Sequence, residues 1–258
     1  MKVLVASEAA VLLAYMTLWY LISLWRRKYD VADIAWGGAF LVVSLTALAL
    51  QDRTTSRAAL VTALVAIWGI RLSGHLLVRN WSRPEDVRYR NWRQEWGEHA
   101  NLRAFFQVFL FQGLLALVIS IPVVAAIAGR GGPLNVLDLA GTAIWLFGFV
   151  FETVGDRQLT RFKSDPSNKG RIIQTGLWKY TRHPNYFGEV TLWWGIYLIA
   201  LSVPRGWLTI IGPVLISFLI LKVSGIPLLE KHYAGREDYE EYKRRTSAFF
   251  PLPPKKGR

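Results

Sequence analysis

Residues 176–203 read GLWKYTRHPNYFGEVTLWWGIYLIALSV. The first half is basic, aromatic and interrupted by Pro184, and the second half is an apolar run. A chain that only had to satisfy a bilayer would have no use for the polar block. The junction therefore predicts a polar ligand site at the mouth of a membrane helix bundle. Pro184 favours the first helical turn, because its missing N–H is one of the donors that a helix start leaves unsatisfied. Thr181 or His183 then stands as N-cap. A helix N-terminus carries roughly half a positive charge and exposes N–H groups. Lys179 and Arg182 flank it, and Arg161, Lys163, Lys169 and Arg171 lie upstream. Together they predict a pocket for a phosphate-bearing ligand, with Arg171, Arg182 and Asn185 as its main candidates. For the outer lysines, solvated loop charge or lipid headgroup contact is the favoured explanation.

Working outward, half of the 258 residues are hydrophobic and apolar runs near the length of a bilayer span recur along the chain. We read seven spans, at 4–25, 33–50, 58–78, 104–128, 138–154, 186–203 and 207–227. The expected fold is all-α, a single polytopic membrane domain over 1–258. Its loops at 79–103 and 155–184 are too aromatic for floppy linkers and are expected to be ordered. The tail at 228–258 is polar and helix-compatible as far as residue 247, with the final PLPPKKGR extended and frayed. The net charge of +13 is distributed unevenly. With the N-terminus outside, 24 Lys and Arg fall in inner segments and 5 in outer ones, while Arg71 and Lys222 lie within spans. This is positive-inside asymmetry, and it accounts for the basicity without nucleic acid. There is no cysteine, which excludes disulfides, thiolate metal sites and Cys nucleophiles. The four histidines lack ligand spacing, so no metal is expected. The first apolar segment has no A-x-A-like cleavage signal and reads as a retained span.

Polar residues recur at helical spacing inside these spans. Arg71, His75 and Arg79 are spaced i, i+4, i+8 and share one stripe. A charge at bilayer depth costs about 2.5–3.5 kcal/mol on insertion scales, so such residues face a bundle interior or a wet cavity. Arg79, near the inner end, has snorkelling to headgroups as its alternative. Glu152 with Asp156, and Asn185 with Glu189, are further i, i+4 pairs. Asp33 opens the second span and Lys222 closes the seventh. All fall in one leaflet, as a ligand cavity or as interhelical ion pairs such as Arg71 with Glu152 or Glu189. No GxGxxG opens a βαβ unit and no GxxxxGK[ST] is present, so a nucleotide here is not held by a Rossmann or P-loop fold.

The run 156–195, DRQLTRFKSDPSNKGRIIQTGLWKYTRHPNYFGEVTLWWG, resembles the C-terminal region of the steroid 5-alpha-reductase family, most of all its bacterial membrane branch. IRLSGHLLVRNW with PEDVRYRNWR (70–93) and VADIAWGG (31–38) are similar to the same branch. The RHPNYFGE block is shared in part with isoprenylcysteine carboxyl methyltransferases. The resemblance implies a seven-helix reductase binding NADPH from the cytoplasmic side of a bacterial-type inner membrane. It implies cofactor contacts at Arg71, His75, Arg79, Asn80, Asp156, Lys163, Arg171, Tyr180, Asn185 and Glu189, with His232 in the tail. The family's substrate-carbonyl acid, a Glu, falls on Asp33. The Gln before it is Ala32 here, and the partner Tyr of the third helix falls on Trp68. These departures bear on steroid specificity and on the proton donor.

The implied chemistry is reduction of an enone in a lipophilic substrate that enters from membrane lipid. Hydride attacks the β-carbon, and a hydrogen-bond donor stabilises charge developing on the carbonyl oxygen. A protonated Asp33 is one donor, and Tyr15, Tyr20, Tyr29 and Tyr89 are rivals. The alternative is a membrane methyltransferase that uses S-adenosylmethionine. The many basic residues favour a ligand with phosphates.

Overall fold

Charge, glycine and proline decide where the apolar runs break. The computed structural model describes residues 2–255, and the side chains of Lys2 and His232 lie outside the described residues. The chain is all-helical. Among the described residues there is no β-strand, only a lone bridge that pairs Thr181 with Ser247. The helices are α1 (Lys2–Arg26), α2 (Val31–Ala49), α3 (Ser56–Asn80), α4 (Val87–Ile119), α5 (Ile121–Ala128), α6 (Val136–Ser164), α7 (Pro184–Ala200), α8 (Ile211–Phe218), α9 (Ile226–Tyr233) and α10 (Glu237–Arg245). Six are long and apolar enough to cross a membrane: Val3–Arg26, Val31–Ala49, Ser56–Asn80, Val87–Ile119, Val136–Ser164 and Gly206–Lys231, the last running through α8. The remaining expected span, 186–203, falls on α7, which has 17 residues.

Two compact units divide the chain, Met1–Asn135 with Ala200–Gly212 and Val136–Ile199 with Pro213–Arg258. In the first, α2 and α3 approach backbone to backbone. A Cβ on Gly37 would lie 2.6 Å from the Gly69 carbonyl oxygen, and one on Gly69 would lie 2.5 Å from that of Gly37. The close approach lets Phe40 meet Trp68 edge-on at 5.4 Å. Tyr15 of α1 donates its hydroxyl to the Ala35 carbonyl at 3.0 Å. The loop expected at 79–103 is largely helical, because Asp86 accepts from the Arg88 N–H at 2.9 Å and caps the start of α4. From Phe105 to Leu110, α4 widens into a π-helical turn, a form that often marks functional positions. Pro122, which lacks an N–H, follows the break between α4 and α5.

In the second unit, glycines at heptad spacing join α6 to α7. Gly141, Gly148 and Gly155 recur on α6, and Gly188 and Gly195 on α7. A Cβ at Gly148 would lie 2.6 Å from the Gly188 carbonyl, and one at Gly141 the same distance from that of Gly195. Small residues allow helices to pack at backbone contact where lipid provides no hydrophobic drive. The C-terminal PLPP stretch departs from the expected frayed end. The Leu252 N–H donates to the Tyr180 carbonyl at 3.0 Å, and the Lys255 N–H to that of Arg245 at 2.9 Å. The buried Phe249, 5.5 Å from Phe187, anchors the segment.

Candidate functional site

A cavity of about 300 Å³ opens in the second unit among the end of α6, the loop that follows it, and the α9–α10 turn. This is the lower end of ordinary ligand pockets. The loop folds back because Asp165 accepts from the Ser167 N–H at 2.9 Å and Gly170 takes φ +78°. Asn168 holds the return with its amide on the Phe162 carbonyl at 3.1 Å. Lys163, Lys169 and Arg171 therefore line one side of the cavity, and Arg236 lines the other. Arg236 donates to the Gly170 carbonyl at 2.7 Å and to Asp238 at 2.6 Å. Trp178, Tyr233, Tyr239 and Tyr242 supply aromatic walls, and among the described residues no Asp or Glu lines the cavity. Burial pushes the Tyr239 phenol up to about 12 and raises that of Tyr242, so both stay neutral donors at physiological pH.

Residues 176–183 form one wall, and their placement is over-determined. Gly176 takes φ +60°, with the Gln158 amide where a Cβ would stand. Gln158 accepts from the Leu177 N–H at 2.9 Å, and the Trp178 indole donates to the Gly155 carbonyl at 3.1 Å. Tyr242 donates to the Trp178 carbonyl. Arg182 turns inward. Its guanidinium donates to Glu230 (Nε, 3.0 Å), to the Lys243 carbonyl at 3.2 Å and to the Thr246 carbonyl. Thr181 donates to the Phe249 carbonyl at 2.8 Å and accepts from the His183 N–H at 3.3 Å. Burial lowers the pKa of His183, against the pull of Glu230, so the imidazole is held neutral.

Lys163, Arg171 and Arg182 thus share the cavity, while Asp156 and Asn185 pair at 3.2 Å across the α6–α7 seam. Tyr180 and Glu189 are not among the lining residues; Tyr180 is exposed and Glu189 is half-buried on α7. The side chain of His232 lies outside the described residues. Arg236, Tyr233, Tyr239 and Tyr242 escape the sequence reading because EKHYAGREDYEEYKRRTS has the composition of a solvated tail. Its repeated tyrosines are the one available signal.

In the first unit Asp33 meets Tyr89 rather than Trp68. The Tyr89 hydroxyl donates to Asp33 Oδ1 at 2.5 Å, and Arg88 donates to Oδ2 at 3.2 Å. Gln112 of α4 donates to the Tyr89 oxygen at 3.4 Å. Trp68 is buried against Phe40. A polar collar seats Tyr89. The Tyr29 N–H donates to Glu85 at 2.6 Å, Arg93 pairs with Glu85 at 2.8 Å, and the Asp86 N–H donates to Asp30 at 2.9 Å. Burial raises the pKa of Asp30. Burial acts the same way on Asp86, but its bonds to Arg88 outweigh it and lower the pKa. Of the other tyrosines, Tyr15 bonds Ala35, Tyr29 bonds Asn101 at 2.6 Å, and Tyr20 packs on Phe105. Arg71 and His75 are half-buried on α3. Arg79 donates to Asn80 Oδ1 at 2.9 Å, and the Asn80 carbonyl accepts from Lys28 at 2.8 Å.

The chain is 28% identical over 202 residues to the uncharacterized protein C594.04c of Schizosaccharomyces pombe, a match covering 69% of this chain and 59% of that protein. It is 27% identical over 106 residues to bovine 3-oxo-5-alpha-steroid 4-dehydrogenase 1, covering 41% and 39% of the two chains. With the rat enzyme of the same name it shares 26% over 114 residues, covering 44% and 41%. The matches thus span about two fifths to three fifths of these relatives' length. No solved structure matches the chain. The model of the family described as "Protein of unknown function (DUF1295)" matches residues 19–246, nearly the whole chain, and the protein belongs to that family.

Proposed function

We propose that this protein is an integral membrane reductase that uses NADPH to reduce the C=C bond of an enone in a steroid-like or other lipophilic substrate. One observation carries the reading: the cavity is lined by Lys163, Lys169, Arg171 and Arg236 beside the inward-turned Arg182, with no carboxylate among them. Such a lining fits phosphates, and the adjacent Trp178 and tyrosines fit flat rings. The distant relation to 3-oxo-5-alpha-steroid 4-dehydrogenase 1 supports the same chemistry. Arg71, His75, Arg79, Asn80, Asp156, Tyr180, Asn185, Glu189 and His232 complete the proposed cofactor contacts by family position. Seven spans, an outside N-terminus and a site facing the cytoplasm of a bacterial-type inner membrane belong to this proposal; the 24-to-5 charge split supports the orientation and the family resemblance supports the membrane.

When bound, the cofactor supplies hydride-transfer chemistry. The chain's own residues act on the substrate oxygen. On substrate binding the single Tyr89 O–H turns from Asp33 to the carbonyl, where the value of the hydrogen bond rises as negative charge develops. Asp33 accepts from both Tyr89 and Arg88. Its role is thus to orient the phenol, and Tyr89 takes the donor's place. Replacing Tyr89 by Phe is expected to lower kcat about 10²-fold, with cofactor affinity unchanged, in a progesterone-dependent NADPH oxidation assay.

Arg171→Ala and Asn185→Ala are each expected to weaken NADPH binding about tenfold or more without unfolding the protein, since a hydrogen bond to a charged group contributes roughly 1.5–3 kcal/mol. Titration calorimetry measures this, and unchanged affinity in both variants would sink the cofactor assignment. A thermal-shift screen with NADPH, NADH and S-adenosylmethionine tests the reading as a whole. Stabilisation by S-adenosylmethionine alone would replace it with the methyltransferase.

A further inference from the structure

Three glycine and tyrosine contacts in the first unit set the register of four helices. Gly37 faces Gly69, so Ser44 and Thr62, each seven residues farther along, stand at one level of the α2–α3 pair. Tyr15 reaches Ala35 and Gly38, which carries Glu8 of α1 to the level of Ser44. A Cβ on Gly113 would lie 3.1 Å from Met16 and 3.9 Å from Leu12. Glu8 is one turn beyond Leu12, and Ser120 is two turns beyond Gly113, so α1 and α4 meet this same level. At 1.5 Å per residue the layer sits about 10 Å from the Gly37–Gly69 contact. It lies toward the opposite end of α2 from Asp33.

All four residues are buried: Glu8 is 2%, Ser44 0%, Thr62 8% and Ser120 0% exposed. Among the described residues Glu8 Oε1, Thr62 Oγ1 and Ser120 Oγ find no hydrogen-bond partner, and Glu8 enters no ion pair. Ser44 donates to the Leu41 carbonyl at 2.9 Å and keeps its acceptor capacity. A single unsatisfied polar atom at such depth is costly. Three such atoms stand at one level of the four helices, beside a fourth buried hydroxyl.

We infer that Glu8, Ser44, Thr62 and Ser120 form one internal water-binding site that bridges α1, α2, α3 and the α4–α5 break. Water suits the donor set. Hydroxyls and a carboxyl offer both donors and acceptors, and a buried water makes about three hydrogen bonds to groups that would otherwise be orphans.

The test turns on the sign of a stability change. Removing a hydroxyl that is dry and unpartnered stabilises a protein, whereas removing one that holds water destabilises it. Thr62→Val and Ser120→Ala are each expected to lower the Tm of the purified full-length protein by about 2–4 °C. The double variant is expected to fall by less than the sum, because both hydroxyls hold the same water. Glu8→Gln, which still hydrogen-bonds, is expected to stay near wild type. Hydroxyl-radical footprinting, which labels side chains beside bound internal water, is expected to mark the Glu8 and Ser120 peptides of the wild-type protein even if a variant fails to fold. A rise or no change in Tm in Thr62→Val and Ser120→Ala overturns the site. So does a wild-type Tm that depends on sodium chloride relative to choline chloride, which assigns the layer to a cation.

Discussion

Gly188→Leu is expected to leave no folded second unit. A Cβ at this position would lie 2.4 Å from the Glu152 amide nitrogen and 2.5 Å from the Gly148 carbonyl. Both are backbone atoms in the middle of α6, so no rotamer change relieves the clash. The helices would have to separate along the whole glycine seam, which also holds Gly141 against Gly195 and Asn185 beside Asp156. We expect a loss beyond roughly 4–5 kcal/mol, the range reserved for gross disruption of packing. Size-exclusion profiles and tryptophan fluorescence of detergent-solubilised protein measure it, and a monodisperse, cooperatively melting Gly188→Leu protein would refute the seam. Gly74→Ala is the control. Nothing lies within 4 Å of the added Cβ, and alanine in a helix interior is expected to stabilise by about 0.5–1 kcal/mol.

Arg182→Ala is the second large effect. The guanidinium is 6% exposed and holds Glu230, itself 17% exposed at the side chain, together with two carbonyls of the tail. Among the described residues, truncation leaves Glu230 with His183 at 3.6 Å and Lys243 at 3.7 Å, and it removes the Arg182 donor from the Thr246 and Lys243 carbonyls. Breaking a buried pair by removing one partner costs about 3–5 kcal/mol. The expected result is a Tm lower by about 6–20 °C in a chain of this size. Arg182→Lys is expected to recover little of it, because an ammonium is a point charge and not a planar fork. NADPH binding is expected to fall along with stability, since Tyr239 and Tyr242 of the cavity wall belong to the segment that Arg182 holds. An Arg182→Ala protein with wild-type Tm would show that the inward bonds contribute nothing.

The membrane architecture is legible because it depends on composition and local order. Apolar runs of span length and the alternation of Lys- and Arg-rich with Lys- and Arg-poor connections are properties of contiguous sequence. Six helices of the length and apolarity needed to cross a membrane agree with that reading. The start of α4 is less legible, because VRYRNWRQEW is polar and its helicity depends on one side-chain cap from Asp86.

By itself the sequence determined that the chain is helical and membrane-embedded, that its polar residues gather at particular helix ends, and that Lys163 and Arg171 belong to a basic loop. Tertiary structure decided which of those groups meet. Asp33 and Tyr89 are 56 residues apart and come together only because the Asp30–Asp86 and Tyr29–Glu85 bonds fix the start of α4 against the α1–α2 turn. Arg182, which reads as a phosphate ligand beside Pro184, lines the cavity and is also bonded to a tail more than 60 residues downstream. A side chain's charge is written in the sequence. Whether that charge faces a ligand or another part of the chain depends on long-range packing, which local spacing does not encode.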